Sequence, residues 1–372
     1  MILPVILFVT IIFSFIGFGH FVVYKSLLMV FDITNLRLIK ILKIFLGIGA
    51  LSFITFTLLT QIGYSKIGSF FYKTSAIWLG TLYFLFLASV IILIIFSISY
   101  FLGWTFVIAR SIGIILFIGA IVLSAYGVFN SFNVRVTKYT VAINNLPEEW
   151  INKDIVMFSD THFGSVRNLA FAKRLVNKIN GENPAMVIIA GDYYDGPPTN
   201  SKEVASSLSG LVTEKGTYFA PGNHEDYGNI SEFSSALIDA GVTVLSNNSV
   251  EVDGLQIVGI DYQTGSNKEQ LTSVLKSLTL SENKPKILIK HAPNNLSEVD
   301  NLGYDLVLSG HVHNGQVWPG PWLARKIFKE FSYGLNYLND MPVITSSGAG
   351  TWGPPQRVGT KSEIVLIHLE NN

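Results

Sequence analysis

Five of the seven histidines in this chain, His162, His224, His291, His311 and His313, fall in short polar runs, each directly after a strand-like apolar run. Residues 154–158 run into Ser159-Asp160-Thr161-His162, 185–190 into Gly191-Asp192-Tyr193-Tyr194-Asp195, and 216–220 into Pro221-Gly222-Asn223-His224-Glu225. Residues 286–290 end at His291, and 305–309 at Gly310-His311-Val312-His313. Histidines placed for packing scatter through helices and strands, whereas only His20 and His368 lie elsewhere. Neutral imidazoles, carboxylates and an amide, without thiols, form a donor set for divalent metals of intermediate hardness such as Mn, Fe, Zn or Ni. Two ions about 3.5 to 4 Å apart need a shared carboxylate, and these runs hold enough ligand types for both. Gly191, Gly222 and Gly310 directly precede candidate ligands, where the strand must turn sharply and the backbone must come close to a ligand.

The elements that position these residues read as α/β. Strand-type runs alternate with helix-length amphipathic stretches over 168–180, 201–213, 230–240 and 267–278, and further strands are expected at 134–143, 242–245, 256–260, 342–345 and 363–369. Sites in open α/β sheets form beyond the carboxyl ends of strands, so the five strand ends are expected to meet in one cleft.

Asp160-Thr161-His162, Gly191-Asp192, Gly222-Asn223-His224-Glu225, His291 and Gly310-His311-Val312-His313 resemble the ordered signature of the calcineurin-like metallophosphoesterases: D-x-H, G-D, G-N-H-[DE], a lone His and G-H-x-H. The resemblance implies two packed β-sheets flanked by helices and hydrolysis of a phosphomonoester or phosphodiester at a dinuclear metal site, by attack of a metal-bound hydroxide. Carried over by match, Asp160, His162, Asp192 and His313 would hold one metal. Asp192, Asn223, His291 and His311 would hold the other, with Asp192 bridging. His224 would face the phosphoryl group, stabilising developing charge or protonating the leaving oxygen. Asp195 and Glu225 are expected to orient histidines. The resemblance extends to a membrane-linked bacterial branch with G-G-Q after the last histidine. Here the run is Asn314-Gly315-Gln316, and Ser362 stands where that branch has proline. A fold kept for binding without turnover is the alternative, and the retention of every ligand-type residue argues for catalysis.

The remainder of the chain bounds where this chemistry takes place. A mean hydropathy of +0.42 and 14% charged residues are too apolar for a soluble protein of 372 residues. The apolar excess lies at 2–23, 39–62, 76–102 and 111–129, each long enough to cross a bilayer. The expected organisation is therefore a four-helix membrane anchor over 1–130 and the metallophosphoesterase domain over 131–372. The first segment has no basic start and is followed by three more, so it reads as a retained helix. Lys25, Arg37, Lys40, Lys43 and Arg110 flank the first and third connections, against Lys66, Lys73, Arg135 and Lys138 on the other side. That bias favours an extracytoplasmic catalytic domain, and with it a lipid-linked or cell-envelope phosphoester as substrate. The absence of cysteine excludes disulfides and thiolate sites. The balance of 26 basic and 26 acidic residues leaves no electrostatic footprint for nucleic acid.

Three further features have competing readings. The match of 348–353 to G-x-G-x-x-G is followed by Pro354-Pro355, which prevents a helix from receiving a pyrophosphate, so a turn-rich loop is expected. Leu323, Ile327, Phe331 and Leu335 recur at helical spacing beside Trp322 and Phe328, with Arg325, Lys326 and Lys329 interspersed. An interfacial helix fits this pattern, but a helix packed on the domain core is the expectation. Tyr193, Tyr194, Trp318, Trp322 and Trp352 are expected to line the cleft. His20 and Arg110 are expected at the membrane interface, which argues against a transport pathway.

Overall fold

The N-terminal apolar runs fold as helices without a polar face: α1 (Ile2–Phe31), α2 (Leu36–Ile62), α3 (Lys66–Phe101) and α4 (Phe106–Phe132). The computed structural model describes residues 2–63, 65–196 and 199–372, and of 2–12 and 61–62 the helical backbone alone. Among the described residues four stretches are long and apolar enough to cross a membrane: Phe13–Phe31, Leu36–Thr60, Lys66–Phe101 and Phe106–Phe132. The helices run past the apolar windows of the sequence, so Lys25, Arg37, Lys40 and Lys43 lie on helical turns. Asn35 and Ser65 start α2 and α3 by accepting N–H groups of the first turn.

Residues 1–129 with 353–356 form one compact unit, and 130–352 with 357–372 the other. Within the first, polar side chains bond to one another, as apolar surroundings demand. Thr81 Oγ1 pairs with Ser124 Oγ at 2.7 Å, and Ser26 Oγ donates to the Ser89 carbonyl at 3.4 Å. His20 is buried, with Trp78 Nε1 donating to its Nε2 at 3.0 Å.

Among the described residues, twelve strands build the second unit: β1 (Arg135–Ile143), β2 (Asp154–Phe158), β3 (Met186–Ala190), β4 (Thr217–Ala220), β5 (Thr243–Val244), β6 (Asn248–Val252), β7 (Leu255–Ile260), β8 (Lys286–Lys290), β9 (Leu306–Ser309), β10 (Gly334–Leu338), β11 (Met341–Thr345) and β12 (Glu363–Asn371). They form two six-stranded sheets, ordered β1-β12-β2-β3-β4-β5 and β10-β11-β9-β8-β7-β6. In the first, β2 to β5 run parallel. In the second, β7, β8, β9 and β11 do. Parallel pairing fits their nearly unbroken apolar sequences, which bury both faces. One face of each sheet meets the other across a layer that includes Met157, Ile188, Ile257, Ile289, Leu308 and Ile367.

Helices cover the outer faces. The helices α5 (Leu169–Asn180), α6 (Ser201–Ala205), α7 (Asn223–Asp226) and α8 (Ile230–Asp239) precede β5, and α9 (Tyr262–Ser266), α10 (Lys268–Ser277), α11 (Leu296–Asp300) and α12 (Gly320–Phe328) follow β7. Phe171, Leu175 and Leu237 pack on the first sheet, and Leu271, Leu275 and Val299 on the second. The helix expected over 201–213 stops at Ala205 and tightens into a 3-10 turn over Ser206–Gly210, because serines and a glycine hold an α-helix poorly. Residues 346–362 contain no helix or strand, in keeping with a turn-rich loop.

Candidate metal centre

Within each sheet, the strands that precede candidate ligands are neighbours, so their carboxyl ends lie side by side. β2, β3 and β4 end in Asp160 and His162, in Asp192, and in Asn223 and His224. β8 and β9 end in His291 and in His311 and His313. Asp160, His162, Asp192, His311 and His313 all hold φ between +48° and +69°. Residues other than glycine occupy that left-handed region at a cost, and tight packing at a site is what holds them there. Asn314, at φ +49°, stands where the related branch has glycine. Asparagine is among the side chains that tolerate this conformation best.

Three groups each bring one donor atom per residue within 4.8 Å of the others: Asp160 with His162 and His313, His162 with Asp192 and His224, and Asp192 with His291 and His311. Asn223 joins them, its Oδ1 lying 3.0 Å from His311 Nδ1. Every sequence-expected metal ligand, together with His224, therefore comes into one cluster.

Do these donors fit divalent cations? His291 Nδ1 lies 2.7 Å from the Ala190 carbonyl, which can only accept, so this nitrogen carries the ring proton. Its Nε2 is buried with no hydrogen-bond partner among the described residues. It faces Asp192 Oδ2 at 3.1 Å and Asp160 Oδ1 at 3.9 Å. Between two carboxylates this nitrogen has to meet a positive charge, either a second ring proton or a cation that shares the space. His162 Nε2 and His313 Nε2 likewise converge at 3.1 Å, with Asp160 Oδ1 3.4 Å from the latter. The donor set and its orphaned nitrogen fit divalent ions.

The electrostatics favour charge on Asp192, whereas burial raises the Asp160 carboxyl. Burial opposes ionisation of Asp192, yet His291, with His162 and His224, outweighs it and holds this carboxyl well below the usual range. Burial also opposes charge on His291, but Asp192 and Asp160 lift that imidazole to about 9. Burial and the neighbouring His291 push His311 down to about 4.

Supporting residues divide differently from expectation. Asp195 Oδ1 lies 3.2 Å from His162 Nδ1 and 3.7 Å from His224 Nδ1, and the Asp195 carbonyl accepts from His224 Nδ1 at 3.1 Å. Glu225 touches no ligand imidazole. At the start of α7 its carboxylate turns back to accept the N–H groups of Gly222, Asp192 and Tyr194, at 2.7, 3.0 and 3.1 Å, tying two ligand loops together. Tyr193 and Tyr194 do not line the cleft. They are fully buried in the core, Tyr193 against Phe163 and Tyr194 stacked on Phe233 at 4.3 Å. Trp352, as expected, approaches the site, its ring 6.4 Å from that of His224. Rings that sequence reasoning missed do so too: Tyr227 on His224 at 4.9 Å, Tyr262 at 5.5 Å and Phe328 at 6.1 Å from His311. Nothing in their local sequence distinguishes them from core aromatics.

The segment expected to pack on the core as one long helix does so only in part. α12 ends at Phe328, Ala324 and Phe331 are buried, and Leu335 belongs to β10, while Trp322, Leu323 and Ile327 remain exposed. Trp322, Leu323 and Ile327 therefore project outward, with Arg325 and Lys326 exposed in the same helix.

The family model of calcineurin-like phosphoesterases matches residues 153–315. An uncharacterized metallophosphoesterase of Campylobacter jejuni is 34% identical over 67% of this chain and 68% of its own length. Another, from Aquifex aeolicus, is 30% identical over 68% of this chain and 97% of that protein. A Danio rerio transmembrane protein with a metallophosphoesterase domain is 28% identical over 67% of this chain and 60% of its own. The chain belongs to the calcineurin-like phosphoesterases. It is a metal-dependent phosphoester hydrolase, and its apolar helices make it a membrane protein.

Proposed function

We propose that the cluster holds two divalent cations of the Mn, Fe, Zn or Ni class, one on Asp160, His162, Asp192 and His313 and the other on Asp192, Asn223, His291 and His311. The observation that carries this reading is His291 Nε2, a buried nitrogen without a hydrogen-bond partner among the described residues that faces two carboxylates. Asp192 shares a donor group with each set of histidines, which supports a bridging role. When bound, such ions polarise phosphoryl oxygens and bring the pKa of a water near neutrality.

The chain supplies orientation and a proton. Asp195 fixes the His224 ring by accepting its Nδ1–H on the backbone carbonyl, which leaves Nε2 as the atom that has to be protonated, as in the imidazolium, before it donates to the leaving oxygen. His162 packs edge-on against that ring at 4.5 Å and limits its rotation. The substrate class we propose is a lipid-linked or cell-envelope phosphoester, reached by a catalytic domain on the extracytoplasmic side of a four-span anchor.

Hydrolysis of a chromogenic phosphodiester and its monoester by the full chain in detergent, with Mn added, tests the reading. His224→Ala is expected to lower turnover by about a hundredfold to ten-thousandfold with bound metal retained. Asp192→Asn is expected to abolish turnover and lower metal content. Full turnover in His224→Ala, or full metal content in Asp192→Asn, would overturn these roles.

A further inference from the structure

The helix α12 begins seven residues beyond His313, where the chain has turned through Gly315 and Gly320, whose backbones touch. A Cβ on Gly315 would lie 2.0 Å from the Gly320 carbonyl carbon, and one on Gly320 would lie 1.8 Å from the Gly315 oxygen. The Gly320 N–H also donates to the Val317 carbonyl at 2.7 Å. This contact fixes the start of the helix to the loop that carries His313. At the other end the Phe328 ring lies 6.1 Å from His311. The helix thus runs beside the metal centre, joined to it at both ends.

Its outward residues are not those of a helix that faces water. Ile327 is 72% exposed and Trp322 59%, with Leu323 and Trp318 exposed beside them. Arg325, Lys326 and Lys329 are exposed in the same stretch, against the single acid Glu330, and the Lys326 ammonium sits over the Trp322 ring at 5.5 Å. Amphipathic aromatics, branched aliphatics and flanking cations are what the headgroup layer of an anionic bilayer accommodates. The rings and aliphatic chains sit among the upper acyl carbons, and the cations meet the phosphates. The same chain carries helices long and apolar enough to span a membrane, so a bilayer is tethered to the polypeptide that bears this surface.

We infer that α12 with Trp318 is a bilayer-docking surface, and that the phosphoester brought to the metal centre is the headgroup of a lipid that stays in the membrane. This deepens the phosphoester-hydrolase reading and rests on it for the substrate, while the docking itself is measurable without turnover. Trp352 extends the same apolar rim. Its backbone N–H and carbonyl pair with the Gln316 side chain at 3.0 Å each, which holds its ring near His224.

The chain has no cysteine, so single-cysteine spin labels report without background. Full-length Ile327→Cys, labelled in nanodiscs of phosphatidylcholine with phosphatidylglycerol, is expected to be relaxed by oxygen in preference to an aqueous chromium complex. Lys202→Cys on α6 is expected to show the reverse. Trp322→Ala combined with Ile327→Asn is expected to lower the ratio of turnover on a bilayer-presented phosphodiester to that on a soluble one by about tenfold. A water-accessible label at 327 overturns the proposal. So does protection that persists in detergent with spin–spin broadening, which identifies a second copy as the occupant. An unchanged ratio, with both substrates turned over, overturns delivery of a lipid phosphoester. If wild type hydrolyses neither substrate, the hydrolase reading fails, and the label at 327 still decides the docking.

Discussion

Gly222 has no side chain because Asp192 occupies the space one would take: a Cβ there would lie 2.2 Å from Asp192 Oδ1 and 2.6 Å from its backbone nitrogen. Gly222→Ala therefore has to displace the carboxylate that joins the two donor groups. The expected outcome is loss of most bound metal and at least a hundredfold lower turnover, of the order seen when catalytic geometry shifts by about 1 Å. The far-UV circular dichroism should be unchanged, and metal analysis of the purified full chain checks the first part. Ligand residues were legible in the sequence because each is local to its strand end, as in Asp160-Thr161-His162. The role of Glu225 was not legible. An acid next to a histidine reads as its partner, and only the return of α7 toward β3 shows that it serves the backbone of Asp192 and Tyr194 instead. Tyr193 and Tyr194 misled for a related reason, since the Asp192 turn sends the following residues into the core.

At the scale of elements, one buried cation ties the loop over 347–350 to the turn that carries His313. Arg357 donates from Nε to the Gly350 carbonyl at 3.2 Å and from Nη1 to the His313 carbonyl at 3.1 Å, and its Nη2 reaches the carbonyls of Gly350 and Ser347. Burial lowers the guanidinium only to about 10, so it remains charged at neutral pH. Arg357→Met leaves several buried carbonyls without donors and is expected to cost about 3 kcal/mol or more. A lower melting temperature of the full chain in detergent measures the loss. Arg357→Lys is expected to recover only part, because one ammonium cannot span the same set of carbonyls. An unchanged melt for Arg357→Met would show that the loop holds itself. The strands that carry ligands were readable as apolar runs, but β6 and β10 were missed. Both are edges of the second sheet, paired on one side only, and their sequences, Asn-Ser-Val-Glu-Val and Gly-Leu-Asn-Tyr-Leu, carry the polar residues that a half-exposed edge permits.

For the whole molecule, hydropathy marked the four helices, because a bilayer-spanning helix has to be apolar all round, whereas the side of the membrane rests on a few charges. Arg110 Nη2 meets Asp32 Oδ1 at 2.7 Å, so the first and third connections share one end of the helical unit. Lys25, Arg37, Lys40 and Lys43 flank the first of these, which favours the cytoplasm for that end. On the proposed orientation, four spans would put the domain that follows α4 on the outside. A cysteine-free chain makes the test direct. In intact cells a membrane-impermeant maleimide is expected to label Lys202→Cys on the catalytic domain, and to reach Thr34→Cys in the first connection only after permeabilisation. The reverse pattern would place the metal centre in the cytoplasm and move its substrate to the inner leaflet, without touching the ligand assignment. An odd number of crossings separates residues 34 and 202 when all four helices span, so these two labels have to disagree. If both react from the same side, one of α2, α3 and α4 does not cross, and the orientation must be worked out again from a three-span chain.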